Sequence, residues 1–504
     1  MRHQSRWLVV SVLMGWVVVF PASSQAQFYK DPFGDFGKIS PSASKQWRPD
    51  GSLPSLDLPN LSAREGLPQD HELSLPELTE YALEHNPATS QAWYAARAAA
   101  AVVGVAQAGR MPTISGIYTA GRARNVSSTS GVIGNWLDRW GPSVSLSYVL
   151  YDFGLVKSQI QSAEYRLLAA NLSQNRVLQQ VISQVELSYY QLTGLSAIVG
   201  VNQQAVKNNQ TALDAVSRRH ESGLATEADV LRAQTLVDQS QLNLQRSRGD
   251  MEKSRGQLSS IVGIPVNSAI KLAGLNPPPE SKEAVQAIGQ FLETVKISRP
   301  DLAASEAQVR AAKATADAAF KSTLPSIQLT GGYAYTSWSS KEYFSNPGTC
   351  NSTPPSTTAA NYSCPHTVSP SIAINVLIPI FSGFKDTYNV RQAREAVSQA
   401  EMVRDQLYNQ SQLDVWQSYH DLQTSKESMG SAESVVRSSS RTAEATLARY
   451  KEGYGTILEL ITAQQDEVTA RTQRIQSYLD WYSALTRLHL AVGSSALITT
   501  NNQR

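Results

Sequence analysis

The chain has 504 residues, enough for several ordinary domains or one long one. Its 44 basic and 42 acidic side chains leave a net charge of +2, so no basic field marks it for nucleic acid. Aromatic residues are only 8 % while alanine, serine and glutamine are abundant, which suits helices packed through small side chains.

Arg2 and Arg6 precede an apolar run, Trp7–Phe20, and then PASSQAQ. Ser24 and Ala26 put small residues at the −3 and −1 positions of a cleavage site, so residues 1–26 read as an export signal. An uncleaved anchor is the alternative, though a span needs about 20 apolar residues. No cysteine follows to take a lipid, and no later apolar run is long enough to cross a membrane as a helix. Such an exported chain is periplasmic, secreted, or held in an outer membrane by strands. Residues 27–72 (DPFGDFGKISPSASKQWRPDGSLPSLDLP within them) read as an irregular Pro/Ser-rich arm.

The chain then reads twice, over 73–275 and 276–493, with a short polar tail at 494–504. Residues 85–118 resemble 298–333, with Pro87 and Pro112 each 213 positions before Pro300 and Pro325. LYDFG (150–154) answers IFSGF (380–384), and RHESGLATEADVL (219–231) answers RYKEGYGTILEL (449–460), with Gly223 and Gly453 aligned 230 apart. The change of offset falls in a polar insertion of the second half. That insertion holds both cysteines, Cys350 and Cys364. Their even number and an oxidising destination point to a disulfide, with two surface thiols as the alternative.

Each half predicts helix, strand, loop, strand, long helix, turn, helix. Period-two alternation marks strands at 113–123, 142–153, 326–336 and 371–380, the last with Ile372, Ile374, Val376, Ile378 and Ile380 on one face. Each is about the length of a tilted outer-membrane strand. Four strands cannot close a barrel alone, so a half-buried soluble sheet stays open as a reading. Residues 155–220 and 385–452 lack proline and predict very long helices. In the first, one stripe runs through Ile160, Ala163, Leu167, Ala170, Val177 and Val181, and another through Leu168, Leu172, Leu178 and Ile182. Two small seams suggest a neighbour on each side, as in a cylinder wall, although an antiparallel coiled coil also fits. Gly223 and Gly453 suit helix reversals, since glycine accepts a positive φ at a helix end.

The seven histidines lack metal-ligand spacing and no phosphate-binding Gly-rich loop occurs. The expectation is no enzyme, no metal, no cofactor and no nucleic-acid partner. A structural or adhesive coiled-coil protein of the envelope would account for the helices but not for a strand pair in each half. A periplasmic adaptor would need more strands and a single hairpin.

The doubled halves, the x-N-P and x-R-P helix starts, the MPTIS and LPSIQ strand entries, and the GLATEADVL and GYGTILEL phrases together resemble the TolC-like outer-membrane efflux proteins, over about residues 73–493. The resemblance implies a mainly α fold with a membrane β-barrel: a homotrimer whose twelve-stranded barrel continues as a long periplasmic α-helical barrel. Loops 125–140 and 338–368 would face outside the cell. It implies an exit duct in the outer membrane of a Gram-negative bacterium, in contact with outer-membrane lipid. An inner-membrane efflux pump or an ABC exporter would feed it through a periplasmic adaptor (membrane fusion) protein. Small-molecule efflux is the favoured role and type I protein secretion the alternative. Gly223, Leu224, Gly453 and Tyr454 would line the adaptor docking grooves at the hairpin tips. By position in the motif, Glu459 would be the first acidic residue of the pore constriction, while Thr462 stands at the second. Asp229 and Tyr450 would belong to the closing network, whose expected arginine partner is Gly455 here.

Overall fold

The computed structural model describes residues 72–126, 133–272, 274, 288–339 and 366–493. The expected signal, the arm up to residue 71, the tail and both cysteines lie outside the described residues. The elements are α1 (Leu75–His85), α2 (Pro87–Ala108), β1 (Thr113–Val126), β2 (Ile133–Tyr151), α3 (Leu155–Glu221) and α4 (Glu227–Val262). They continue as α5 (Ile288–Ser298), α6 (Pro300–Lys321), β3 (Ser326–Ser339), β4 (His366–Leu377), α7 (Lys385–Lys451) and α8 (Ile457–Val492). Helix lengths recur as 11, 22, 67 and 36 residues, first in α1–α4 and then in α5–α8.

The four strands form one antiparallel sheet in the order β1-β2-β3-β4. Register puts Ile114 beside Leu146, Leu329 beside both Tyr148 and Ile374, and Ile327 beside Val376, all on one face. The other face carries Ser115 and Ser145 hydroxyls 2.7 Å apart, and the Asn375 amide donates to Thr330 Oγ1 at 2.9 Å. Among the described residues nothing covers the apolar face: Ile372, Ile374 and Val376 are 79, 66 and 59 % exposed.

The strand ends differ from the expected ones: β1 and β3 run on to Val126 and Ser339, β4 starts earlier, at His366, and β2 spans Ile133–Tyr151, starting well inside the expected loop 125–140. Within β2, Gly141 lets the β3 backbone come close; a Cβ there would stand 1.8 Å from the Tyr335 carbonyl oxygen. β4 stops at Leu377, short of the expected 380, since Pro379 has no N–H to continue the ladder. Ile378 and Ile380 therefore lie beyond the sheet, exposed.

The helices make a strip. α2 and α4 pack along one flank of α3, and α6 and α8 along the other. α7 packs on α6 and α8 alone among the long helices. The burial follows: α3 buries side chains from Ser158 to Val216, whereas α7 buries only Ser411, Val415, Ser418, Ser425, Val436, Ala443 and Tyr450. Of the expected stripes on α3, Ile160, Ala163, Val181 and Ile182 are buried, while Leu168 has turned out to 44 % exposure. No helix among the described residues is long and apolar enough to cross a membrane.

Each half is tied at its start to the end of its own return helix. Asn86 caps α2 by accepting from the Ala88 N–H at 2.7 Å and donates its amide to the Ile261 carbonyl at the end of α4, at 2.6 Å. Arg299, 3 % exposed, stands at the matching place before Pro300 and donates to the Ala491 carbonyl at the end of α8, at 3.3 Å. Its guanidinium also meets Asp301 at 2.6 Å and Asp414 at 3.2 Å. Arg176 of α3 joins them, 3.4 Å from Asp301 and 2.9 Å from the Leu490 carbonyl. Burial disfavours the charged Asp301, but Arg299 and Arg176 outweigh it and hold the carboxylate below its usual range.

A buried carboxyl without such a cation lies along the α3–α8 seam. Glu186 is 8 % exposed, and burial raises its pKa against the lesser effect of a hydrogen bond with Thr486. Beside it Tyr190 stacks on Tyr482 with ring centroids 4.1 Å apart. A group whose folded pKa is raised contributes stability fully below its unfolded value of about 4.3, and loses it as pH rises through the folded value. Glu186→Gln is therefore expected to melt higher than the native chain at pH 8, with the gap closing towards pH 4. Thermal unfolding at the two pH values checks this, and a pH-independent gap would refute it.

Candidate functional site: the hairpin tips

α3 turns into α4, and α7 into α8, by the same backbone device. Leu224 N–H donates to the Arg219 carbonyl at 2.8 Å and Gly223 N–H to the His220 carbonyl at 2.9 Å. In the second half Tyr454 N–H donates to Arg449 at 2.8 Å and Gly453 N–H to Tyr450 at 3.1 Å. These i→i−5 and i→i−3 bonds satisfy the last carbonyls of the long helices and require a left-handed residue. Gly223 and Gly453 supply it, with φ of +72° and +85°. Leu224 and Tyr454 follow, 71 and 81 % exposed. The structure thus puts these four residues at the extreme end of each hairpin.

The return helices start on threonine caps. Thr226 Oγ1 accepts from the Asp229 N–H at 3.2 Å, and the Asp229 carboxylate accepts from the Thr226 hydroxyl at 2.7 Å and N–H at 3.1 Å. This capping box accounts for the position of Asp229. Its hydrogen bonds from the Thr226 side chain and backbone hold its pKa below the usual carboxylate range, with Arg232 adding a smaller effect. Glu459, the matching residue, keeps its N–H on Thr456 at 3.3 Å and leaves its carboxylate exposed, 3.9 Å from Arg449. Thr462 is exposed and returns its hydroxyl to the Leu458 carbonyl at 2.9 Å.

Tyr450 is 6 % exposed, in a small core with Val216, Ala233, Ile457 and Leu460 drawn from both hairpins. Arg219 of α3 lies over its ring, 5.0 Å from the centroid, and donates Nη1–H to its main-chain carbonyl at 2.9 Å. Burial raises the Tyr450 pKa, opposed by Arg219 and reinforced by the charge of Asp229. The structure therefore lays an arginine over Tyr450, itself within the electrostatic reach of Asp229, but that arginine comes from the first hairpin and its ring contact and hydrogen bond are with Tyr450, not Asp229. Gly455 sits in the turn, where a Cβ would meet Tyr450 N at 3.2 Å.

Sequence reasoning passed over Arg219. The repeat carried the signal, because Arg219 and Arg449 both stand four residues before the turn glycine. It also passed over Gln464, which lines a groove of about 490 Å³ between α3, α7 and α8, just above the tips. Arg218, Arg219, Glu444, Tyr450 and Glu467 share that groove, and Gln464 Oε1 is buried there without a hydrogen-bond partner.

A sheet with one apolar and one polar face, both uncovered, joined to long helical hairpins, is the architecture of an outer-membrane channel subunit. The solved outer-membrane channel OprN superposes with a TM-score of 0.71 at 18 % identity, over 90 % of this chain and 98 % of that one. Residues 78–264 and 291–494 match the outer membrane efflux protein family, and the chain belongs to it. Among its relatives, Protein CyaE of Bordetella pertussis is 25 % identical over 410 residues, 80 % of each chain. The toluene efflux pump outer membrane protein TtgI of Pseudomonas putida is 24 % identical over 443 residues, 85 % of this chain and 87 % of that one.

The tip geometry predicts local costs. Gly223→Ala and Gly453→Ala each force a Cβ into the left-handed region and are expected to destabilise their hairpin by about 1–2 kcal/mol. Thr226→Ala should cost about 1 kcal/mol through the lost cap. Hydrogen exchange at the first amides of α4 and α8 checks both, and unchanged protection would count against the role given to these residues.

Proposed function

We propose that the chain is one subunit of a homotrimeric exit duct. Three copies join their sheets into a twelve-stranded barrel in the outer membrane, and their helical strips into a hollow periplasmic barrel. The observation that carries this is the uncovered apolar face of the sheet, ending in two unpaired edge strands, β1 and β4. Apolar side chains at this exposure suit lipid on that side, and the Ser/Thr/Asn face suits a water-filled lumen. The helical strip has the same two-ended form: among the described residues no long helix packs on the outer side of α2 and α4 at one end or of α7 at the other. The recurring helix lengths support an internally duplicated subunit with halves 73–275 and 276–493. The Leu73–Leu272 bridge supports the bounds of the first half by joining its two ends.

Conduction is passive, and the periplasmic mouth is closed by the hairpin tips. Arg219, capping the end of α7 and lying over Tyr450, holds the two hairpins of one subunit together beside Asp229. Glu459 stands nearest the constriction, and Arg449 partly offsets its charge. The exposed tips, Gly223–Leu224 and Gly453–Tyr454, with the groove that Gln464 lines, suit docking of a periplasmic adaptor protein. An inner-membrane pump working through that adaptor supplies the energy, since the duct has no energy-coupling site. Small-molecule efflux is the favoured cargo class, as in the name of the Pseudomonas putida relative; type I protein secretion is the second reading.

Purified protein should run as an SDS-resistant oligomer from the outer-membrane fraction and give small, stable currents in a planar bilayer. Arg219→Gln is expected to raise mean conductance by about two- to fivefold, the worth of one exposed cation–π contact. A soluble monomer without currents would overturn the channel reading. Currents indifferent to Arg219→Gln would keep the channel and remove this latch.

A further inference from the structure

The two halves place equivalent residues in unequal surroundings. Arg219, His220 and Asp229 each precede Arg449, Tyr450 and Glu459 by 230 positions. Arg219 crosses to the other hairpin, over the Tyr450 ring and onto its carbonyl. Arg449 crosses nowhere within the chain; its guanidinium stays with its own hairpin, 3.9 Å from Glu459 and 3.4 Å from the Tyr454 carbonyl. The receiving positions differ in the same way. Tyr450 is 6 % exposed under Arg219, whereas His220 is exposed.

The packing explains the inequality. Within the chain α3 has α8 at its side, so the first hairpin touches the second. α7 is the repeat equivalent of α3, and among the described residues no second return helix stands beside it in the way that α8 stands beside α3. α4, the equivalent of α8, is free on its own outer flank. On the ring reading, α4 of the next copy fills the place beside α7 and repeats the α3–α8 relation.

We propose that Arg449 of each copy latches onto His220 of the next copy, its guanidinium over the imidazole and donating to the carbonyl of residue 220. The geometry for receiving it is already built. The Tyr450 carbonyl accepts from Gly453 N–H at 3.1 Å and still takes Arg219; the His220 carbonyl accepts from Gly223 N–H at 2.9 Å and has the same second lone pair. The His220 ring is held by Nδ1, 3.0 Å from the Ala225 carbonyl, which leaves its face and Nε2 outward. The proposal rests on the homo-oligomeric duct above and adds the residues that close its seams. It also makes the seams unequal. Tyrosine offers a guanidinium a phenol face, and the smaller imidazole offers a poorer one. The mouth then gives way first between copies rather than within one.

The test is a thiol crosslink spanning the reach of an arginine side chain, since a direct disulfide needs Cα atoms within about 7 Å. His220→Cys and Arg449→Cys are placed in one chain, treated with a short bismaleimide in isolated outer membranes and run on a denaturing gel beside wild type and the two single variants. Covalent oligomers in the double variant alone are expected. Arg219→Cys with Tyr450→Cys should instead close within the chain and leave the monomer mass. Absence of the covalent oligomers, in a preparation that conducts and is oligomeric by native mass spectrometry, would overturn the latch and leave the duct intact. A preparation that is monomeric and silent would overturn the duct and the latch together. Conductance gives a second measure: His220→Tyr should lower it, and Arg449→Gln raise it, by about two- to fivefold each. No change in either variant would refute the inference.

Discussion

Everything below the sheet hangs on how the return helices end. α4 and α8 run 36 residues from the tips, about 54 Å at helical rise, so a small error where they stop becomes a large one at the mouth. A helix end that is buried must find donors for its last carbonyls. Here the donors come from other elements: Asn86 for Ile261, Arg299 for Ala491, Arg176 for Leu490 and the Gln179 amide for Gly493. The hydrogen bonds fix axial register as well as position, because sliding α8 by one residue would leave both guanidinium groups facing the wrong atoms.

The two joints are built differently, and the difference has a cost. The Asn86 joint is neutral and small. The Arg299 joint buries two arginines against Asp301 and a half-exposed Asp414. Bringing such ions out of water cancels much of their attraction, so the cluster is better understood as setting geometry than as adding net stability. It does so where four helices meet, since Arg176 lies on α3, Asp301 on α6, Asp414 on α7 and the accepting carbonyls on α8. Removing any one partner strands charge, which makes the joint intolerant of misplacement.

The sequence made the local devices plain and hid the long-range ones. Pro87 and Pro300 announce helix starts, and Gly223 and Gly453 announce reversals, because each acts through its own backbone. The length of α3 and α7 follows from an absence of proline over 67 residues. Strand ends were less legible: Ile378 and Ile380 continue the alternation of β4, but Pro379 between them removes the N–H that pairing needs. Leu168 belongs to the second sequence stripe yet faces out at 44 % exposure, while Ile182 of the same stripe is buried. The Arg176–Asp301–Arg299–Asp414 cluster could not be read at all, its members being up to 238 positions apart and each unremarkable alone. At the tips, the acidic residues were legible by their place after the glycine. Their partners were not, because Arg219 acts on the other hairpin.

Helices of matching length in the two halves of the chain set the terms for that partnership. Two halves with helices of equal length place equivalent residues on equivalent helices, so each contact between hairpins within the chain defines a matching one at the free edge. Within one copy the first is made and Tyr450 is buried while His220 is exposed; on the proposed ring a second copy makes the other. The backbone devices at the tips have stayed the same in both halves: the glycine, the threonine cap and the acidic residue three beyond it. Toward the seams the arginines match, Arg219 and Arg449, while the residues that follow them differ, His220 and Tyr450. Folding of a hairpin constrains the first set, and it would be lost in either half if they changed. The second set is constrained only by what lies opposite. On the proposed ring, with its two alternating kinds of seam, the His220–Tyr450 difference is permitted; a ring of six identical hairpins would not permit it.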